Sequence, residues 1–165
     1  MKTAVFYEHI LEGAKQSGKS VAELMEKCAS WNIRGIEIGD ALLRENKEEI
    51  KELLEKNHMQ VSCSNAFYDF GHNPDAAPGK KQIDLAEEFG VSKVLIIPGE
   101  LSENEASALN ALSASKEQTD SYMSENASIR NMVQALKELV AYGKEKNILV
   151  TLEDFDGPVQ PFARM

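Results

Sequence analysis

Cysteine is scarce in this chain. Cys28 and Cys63 are the only two, both lie in apolar patterns without metal-ligand spacing, and buried thiols in a reducing cytoplasm are expected rather than a disulfide. No apolar run approaches the 18 or so residues of a membrane span. The start, MKTAVFYEHILEG, has neither the long apolar stretch nor the small-residue cleavage site of a signal peptide. No basic strip is richer than Lys80-Lys81, and 27 acidic against 18 basic residues leave a net charge of −9. Such a surface repels phosphodiester backbones, so neither a nucleic-acid nor a membrane partner is expected.

What is present is one domain's worth of chain, 165 residues with 42% hydrophobic content, organised by a recurring event. Four times an amphipathic stretch ends at Asn or Gly and a short β-rich run follows: Trp31-Asn32-Ile33, Lys56-Asn57-His58, Phe89-Gly90-Val91 and Lys146-Asn147-Ile148. Asn and Gly tolerate the left-handed conformation that closes a helix. Apolar stripes mark the helices. Val21, Leu24, Met25, Cys28 and Ala29 form one after a Ser20-x-x-Glu23 capping box; Ile50, Leu53 and Leu54 form the next; then Ile83, Ala86 and Phe89; then Ile129, Met132, Val133, Leu136, Leu139 and Val140. Strands are expected over 3–8, 34–39, 60–66, 92–97 and 148–153, giving β(αβ)₄ and a parallel sheet.

Strand parity favours a barrel over a doubly wound sheet, whose central strands are apolar on both faces. Ile36 and Ile38 alternate with Gly35 and Glu37, Val61 and Cys63 with Ser62 and Ser64, and Val150 and Leu152 with Thr151 and Glu153. One face meets helices and the other is small or polar, although Val94 to Ile97 is apolar throughout. Five units in 165 residues allot about 33 to each, and eight would need about 264, near the roughly 250 of a closed (β/α)₈ barrel. The expectation is a single domain over 1–165, the N-terminal five-eighths of such a barrel, about five βα units of parallel sheet with outer helices. Residues 100–127, rich in Ser, Glu, Asn and Ala, read as an insertion loop between strand 4 and its helix. An open arc leaves two unpaired strand edges, through which homo-oligomers are expected.

Gly13 to Ser20, GAKQSGKS, matches the phosphate-loop pattern G-x-x-x-x-G-K-[ST]. A P-loop nucleotide-binding protein, with Lys19 on phosphate and Ser20 on Mg²⁺, is therefore an alternative. Against it, Glu8, His9 and Glu12 do not belong where a buried strand delivers such a loop, and Ser20 already caps a helix.

The segments SVAELMEKCASWNIRGIEIGD, ELLEKNHMQVSCSNAFYDFG, AEEFGVSKVLIIPGE and LKELVAYGKEKNILVTLEDFD resemble the sugar phosphate isomerase/epimerase family with a xylose isomerase-like TIM barrel. The resemblance implies a metal-assisted isomerase or epimerase acting on a ketose or related polyol-derived substrate. It implies a divalent cation, Mn²⁺, Mg²⁺ or Co²⁺, that polarises the carbonyl while carboxylates move the neighbouring proton through an enediolate. Glu153 matches the family's metal-binding glutamate at the end of the fifth strand, and is the expected metal ligand and catalytic base, helped by Asp154 or Asp156. Its alternative is a strand-end carboxylate capping a loop amide. The remaining family ligands are not in this sequence, so inactivity of the chain alone, as a non-catalytic barrel fragment, is the further alternative. A DNA-repair endonuclease of the same barrel class is disfavoured by the acidity.

Other strand-end polar residues fit a carbohydrate pocket: Glu8 and His9 at the first strand, Glu37 and Asp40 at the second, Asn65 at the third and Glu100 after the fourth. Glu37, His9 and Asn65 are the expected substrate-binding residues. Glu37 also reads as an inward glutamate bonded within the barrel, and His9 as a satisfied structural histidine. His72, in GHNPD, belongs to an exposed turn, and His58 needs no functional explanation.

Overall fold

The computed structural model describes residues 3–153. Five strands, β1 (Ala4–Phe6), β2 (Gly35–Gly39), β3 (Gln60–Phe67), β4 (Lys93–Ile97) and β5 (Leu149–Leu152), form one sheet in the order β1-β2-β3-β4-β5. Every pairing is parallel. A doubly wound sheet reverses strand order at its switch point, whereas a barrel winds in one sense. The unreversed order makes this sheet part of a (β/α)₈-type barrel, with β1 and β5 at its edges.

Eight helices flank the sheet among the described residues: α1 (Tyr7–Ser17), α2 (Val21–Ser30), α3 (Asp40–Glu45), α4 (Lys47–Asn57), α5 (Ala77–Glu88), α6 (Glu103–Ala111), α7 (Lys116–Glu125) and α8 (Ala127–Glu145). Their apolar stripes meet one face of the sheet. Met25, Ile36, Ile38, Leu43, Ile50, Ile83, Val94, Ile96, Met132 and Leu139 are fully buried there. The opposite, concave face carries Phe6 and, on β3 and β5, Phe67 and Leu149, exposed by 44%, 72% and 62%. Among the described residues no helix is long and apolar enough to cross a membrane.

Local signals set most boundaries. Ser20 caps α2 in a capping box with Glu23, its Oγ accepting from the Glu23 N–H while the Glu23 carboxylate accepts from Ser20 N. Asn32, Gly90 and Asn147 adopt positive φ of 61°, 65° and 56°, as the helix-closing pattern predicts. The fourth closure is corrected by one residue: His58, at φ 50°, takes the left-handed position, because Asn57 is buried inside α4 with its Nδ2 donating to Leu53 O at 2.8 Å.

Three further expectations are corrected. The first strand ends at Phe6, so Glu8 and His9 stand in the first turn of α1 and not on a strand. Residues 100–127 are not one loop, since they contain α6 and α7. The third correction concerns the parity of β3. The register runs Gly35↔Gln60 and Ile36↔Val61, then jumps to Glu37↔Cys63, Ile38↔Ser64 and Gly39↔Asn65. This bulge inserts Ser62 and exchanges the faces beyond it. Cys63 therefore joins Glu37 on the concave side, while Ser64, fully buried, stands with Ile38 and Val94 on the helix side.

The phosphate-loop match is also overturned as a nucleotide cradle. Gly13 to Ser17 are α-helical, Gly18 closes α1 at φ 69°, and Ser20 is occupied as the α2 cap. A cradle needs free N–H groups in a loop springing from a strand, and here those groups belong to a helix's own ladder. Gly13 serves packing instead, since a Cβ there would lie 3.3 Å from Leu24 Cδ1.

Candidate functional site

The C-terminal ends of parallel strands are where a barrel presents its chemistry. At this end α1 and β2 are tied by a carboxylate: Glu8 Oε1 accepts from Gly39 N at 2.8 Å. Asn65, paired in register with Gly39, extends its Nδ2 diagonally to Glu37 Oε1 at 3.4 Å. A side chain on Gly39 would crowd this arrangement, because its Cβ would lie 3.1 Å from Glu8 Oε1.

Glu37 lies at the centre of the group electrostatically. Burial pushes its carboxyl above the ordinary carboxylate range; the Asn65 bond opposes that, Glu153 reinforces it, Lys93 opposes it, and Glu8 adds to the rise. The same neighbourhood acts on Cys63. Burial and then Glu37 raise its thiol to about 11, with Glu153 contributing in the same direction. Glu37 on β2 thus feels carboxylates from both α1 and the end of β5, opposed by Lys93.

Of the expected site residues, the structure gathers Glu37 and Asn65 by a direct bond and Glu153 by its field. Glu153 is exposed and follows β5 immediately. His9 is placed apart from that bonding. Its ring meets Phe6 edge-on at a 5.4 Å centroid separation, and it lines a groove with Val5, Leu24, Lys27, Cys28 and Trp31. Asp154 and Asp156 lie outside the described residues. Among the described residues no three His, Cys, Asp or Glu side chains come together so as to hold a metal ion. Such a cation fills part of its shell with water, and among the described residues the expected protein ligand is Glu153 alone.

Two clefts adjoin the cluster and share Phe67 and Tyr68. The first, of about 430 Å³, lies over the ends of β2 and β3 and includes Gly39, Asp40, Arg44, Asn65 and Lys81. The second, of about 380 Å³, includes Asp69, His72, Gly99 and Glu100. His72 is exposed as expected, and its Nδ1 sits 2.7 Å from Asp69 Oδ1, a contact that raises the imidazole pKa. Beneath Tyr68 a buried amide joins the strands: Gln82 accepts from Tyr68 Oη at 3.0 Å and donates from Nε2 to Ser64 O at 3.0 Å.

Sequence reasoning missed Glu8 as a backbone anchor, along with Arg44 and Lys81. In the sequence Glu8 reads as the end of a strand, because α1 begins without a side-chain cap to announce it. For Arg44 the signal was available, since Asp40-x-x-x-Arg44 is an i,i+4 ion-pair spacing, realised at 2.6 Å.

Comparisons with known proteins agree with this architecture. The family model described as xylose isomerase-like TIM barrel matches residues 25–162. A xylose isomerase domain protein from Planctomyces limnophilus is similar over 94% of this chain and 54% of its own, with a TM-score of 0.54 and 13% identity. For a sugar phosphate isomerase/epimerase from Parabacteroides distasonis the values are 95%, 57%, 0.55 and 14%. A mannonate dehydratase from Streptococcus suis gives 92%, 53%, 0.54 and 15%. The chain spans little more than half the length of these structures, and at such identities the likeness concerns fold. No curated protein matches the chain.

Proposed function

Because this chain belongs to the xylose isomerase-like TIM barrel family, we propose that it serves sugar isomerase or epimerase chemistry, in which strand-end carboxylates move a proton between neighbouring carbons of a ketose or related polyol. The observation that carries this reading is the unequal environment of two carboxylates in one field. Burial favours the protonated form of Glu37, whereas Glu153 is solvated at the end of β5. A strand-end carboxyl whose burial favours its protonated form can hold a proton and return it.

In this reading Glu153 takes the proton from the carbon beside the carbonyl, and the electron pair passes into an enediolate. Glu37 is the proton-holding partner, oriented through its Oε1 by Asn65. Asn65 is the proposed contact to substrate hydroxyls, whereas His9, in the groove beside α2, is not given that role. The family's cation, Mn²⁺, Mg²⁺ or Co²⁺, is not accounted for by the described residues, so Glu153 would be one ligand among others and no step above depends on the ion. A cytoplasmic location is part of the proposal, in keeping with the two free thiols.

The test is solvent exchange. Ketoses and their phosphates are incubated with the protein in D₂O, with and without each of the three cations, and deuterium at the carbon next to the carbonyl is read by NMR. Exchange that disappears in Glu153→Gln supports the assignment, since the amide keeps shape and removes charge. Exchange retained in that variant removes Glu153 from the role. The lack of a three-ligand group among the described residues favours a second reading, a barrel module that binds polyols without turning them over. Sugar-induced chemical shifts without exchange would select it.

A further inference from the structure

Asp40 and Arg44 stand one helical turn apart on α3, so their side chains meet. The meeting uses half of the carboxylate. Oδ2 accepts from Arg44 Nη2 at 2.6 Å, while Oδ1 is buried and has no hydrogen-bond partner among the described residues. The Asp40 side chain is 13% exposed and that of Arg44 45%. A buried carboxylate oxygen without a donor is costly, and folded proteins keep one where a donor arrives from elsewhere.

The neighbouring donors of the protein are committed. The Tyr68 hydroxyl lies close enough for Asp40 to add to the rise in its pKa that burial causes, yet it donates to Gln82 Oε1 at 3.0 Å. Gln82 Nε2 donates to Ser64 O at 3.0 Å, and Asn65 Nδ2 to Glu37 Oε1 at 3.4 Å. None of them turns to Oδ1.

Asp40 and Arg44 line the cleft of about 430 Å³, to which α5 contributes Pro78 and Lys81 and the end of β3 contributes Phe67 and Tyr68. The positive end of α5 is already answered there, because Asp75 Oδ1 accepts from Ala77 N at 2.9 Å. With Asp40 paired to Arg44 and Asp75 at the helix start, the cleft selects by hydrogen-bond geometry and not by net charge.

A polyol matches that geometry, since each hydroxyl is donor and acceptor at once. One hydroxyl donates to Oδ1, and the oxygen on the adjacent carbon accepts from a further N–H of the guanidinium beside it. The ring of Phe67, exposed by 72%, offers apolar surface to the C–H edge. Resting on the proposed sugar chemistry, we infer that Asp40 is a specificity-determining residue: its Oδ1 accepts from a substrate hydroxyl while Arg44, fixed by Oδ2, donates to the neighbouring one, and together they clamp an uncharged vicinal diol. The cleft is continuous with the carboxylate group, because Gly39 and Asn65 line it and also bond to Glu8 and Glu37. A chain held by its diol at Asp40 therefore extends past Asn65 toward Glu37.

The experiment is a chemical-shift titration of the ¹⁵N-labelled protein with erythritol, 1,4-butanediol and D-fructose, repeated for Asp40→Asn and Arg44→Gln. Erythritol and 1,4-butanediol share their length and terminal hydroxyls, and only erythritol has vicinal pairs. Erythritol and D-fructose are expected to move the amides of Ala41 and Ala66 and to bind about tenfold more tightly than butanediol, the increment of one charge-assisted contact. In Asp40→Asn that advantage falls, because Arg44 retains the amide oxygen and the NH₂ group takes the place of Oδ1, a donor where an acceptor stood. Arg44→Gln, which leaves the carboxylate in place, reduces it as well. Melting temperature of Asp40→Asn is expected to hold, so that the lost affinity reports the contact and not the fold. Diol affinity unchanged in Asp40→Asn, as a water on Oδ1 would leave it, or equal binding of erythritol and butanediol, overturns the role of Asp40 and leaves the sugar site standing where D-fructose still moves Asn65. No shift at Asn65 or Gly39 with D-fructose overturns both.

Discussion

Asn65 donates to Glu37 diagonally, across a register that pairs Asn65 with Gly39 and Glu37 with Cys63. The bond holds a carboxylate that burial disfavours in its charged form, and the balance gives a signed prediction. With its folded pKa raised, Glu37 binds more protons in the folded than in the unfolded state, so its contribution to stability falls as pH rises through the window above the ordinary glutamate value of 4.5. Glu37→Gln removes that cost. Urea unfolding is expected to show the variant more stable than the parent at pH 7.5, with the gap closing at pH 5, alongside loss of solvent exchange. A variant less stable at pH 7.5 would show that Glu37 is held charged by favourable partners.

Cys63 gives a second prediction. It is buried, and its thiol is raised to about 11, so almost no thiolate is present at pH 8. Cys28, less buried and raised mainly by burial, is the more accessible of the two. Reaction with a chromogenic disulfide is expected to label Cys28 slowly and Cys63 only after unfolding. Fast labelling of both in the folded protein would place Cys63 elsewhere.

Gly143 is the third. Alanine in place of an exposed mid-helix glycine ordinarily stabilises by about 1 kcal/mol. Here a Cβ would lie 2.7 Å from Ile148 O and 2.9 Å from Val150 Cγ2, where α8 turns back into β5. Gly143→Ala is expected to destabilise by about 1 to 3 kcal/mol in thermal unfolding. Gly79→Ala should destabilise as well, since its Cβ would lie 2.7 and 2.8 Å from the two methyls of the fully buried Leu139.

Glu105 is the fourth. Burial acts to raise its pKa, but bonds from Ser102, Asn126 and Ser128 prevail and hold it at about 2. Asn126 in turn caps α8 through Ile129 N at 2.9 Å, so this one carboxylate ties α6 to the start of α8. Glu105→Ala should cost about 1 kcal/mol at neutral pH, the usual worth of a cap. A depressed folded pKa gives stability that is present above 4.5 and lost as pH falls toward about 2, so parent and variant should converge at acid pH.

The concave face leads to a fifth prediction. Phe6, Phe67 and Leu149 are exposed there, and β1 and β5 present unpaired edges within the described sheet. Light scattering is expected to show concentration-dependent self-association that Leu149→Lys weakens, since an edge lysine opposes pairing. A monomer at all concentrations would mean that the edges are protected.

The four-fold return from helix to strand was legible because apolar periodicity and Asn or Gly closures are local features. The capping box at Ser20 and Glu23 was equally local. Its twin, Ser102-x-x-Glu105, was also present in the sequence and marks the start of α6, where a loop was expected. Asn57 gave a false stop because its amide satisfies Leu53 O from inside the helix, which composition cannot reveal. The direct partnership of Glu37 with Asn65 was only half legible: both were expected at strand ends, but a bond between adjacent strands depends on register. Glu8 reached the site through a helix that starts without a side-chain cap, and no residue pattern announced it.

Ser62 has a consequence for any comparison of this strand with a homologue. An extra residue at one position re-indexes all that follows, so a superposition that carries no gap there assigns Asn65 to the wrong side of the wall. A deletion of Ser62 would keep Cys63 opposite Glu37 and Asn65 opposite Gly39, whereas closing the bulge with Ser62 retained would pair Ser62 with Glu37 and turn Cys63 and Asn65 to the helix side. The face that Asn65 presents is thus set by where the strand bulges rather than by simple alternation along it.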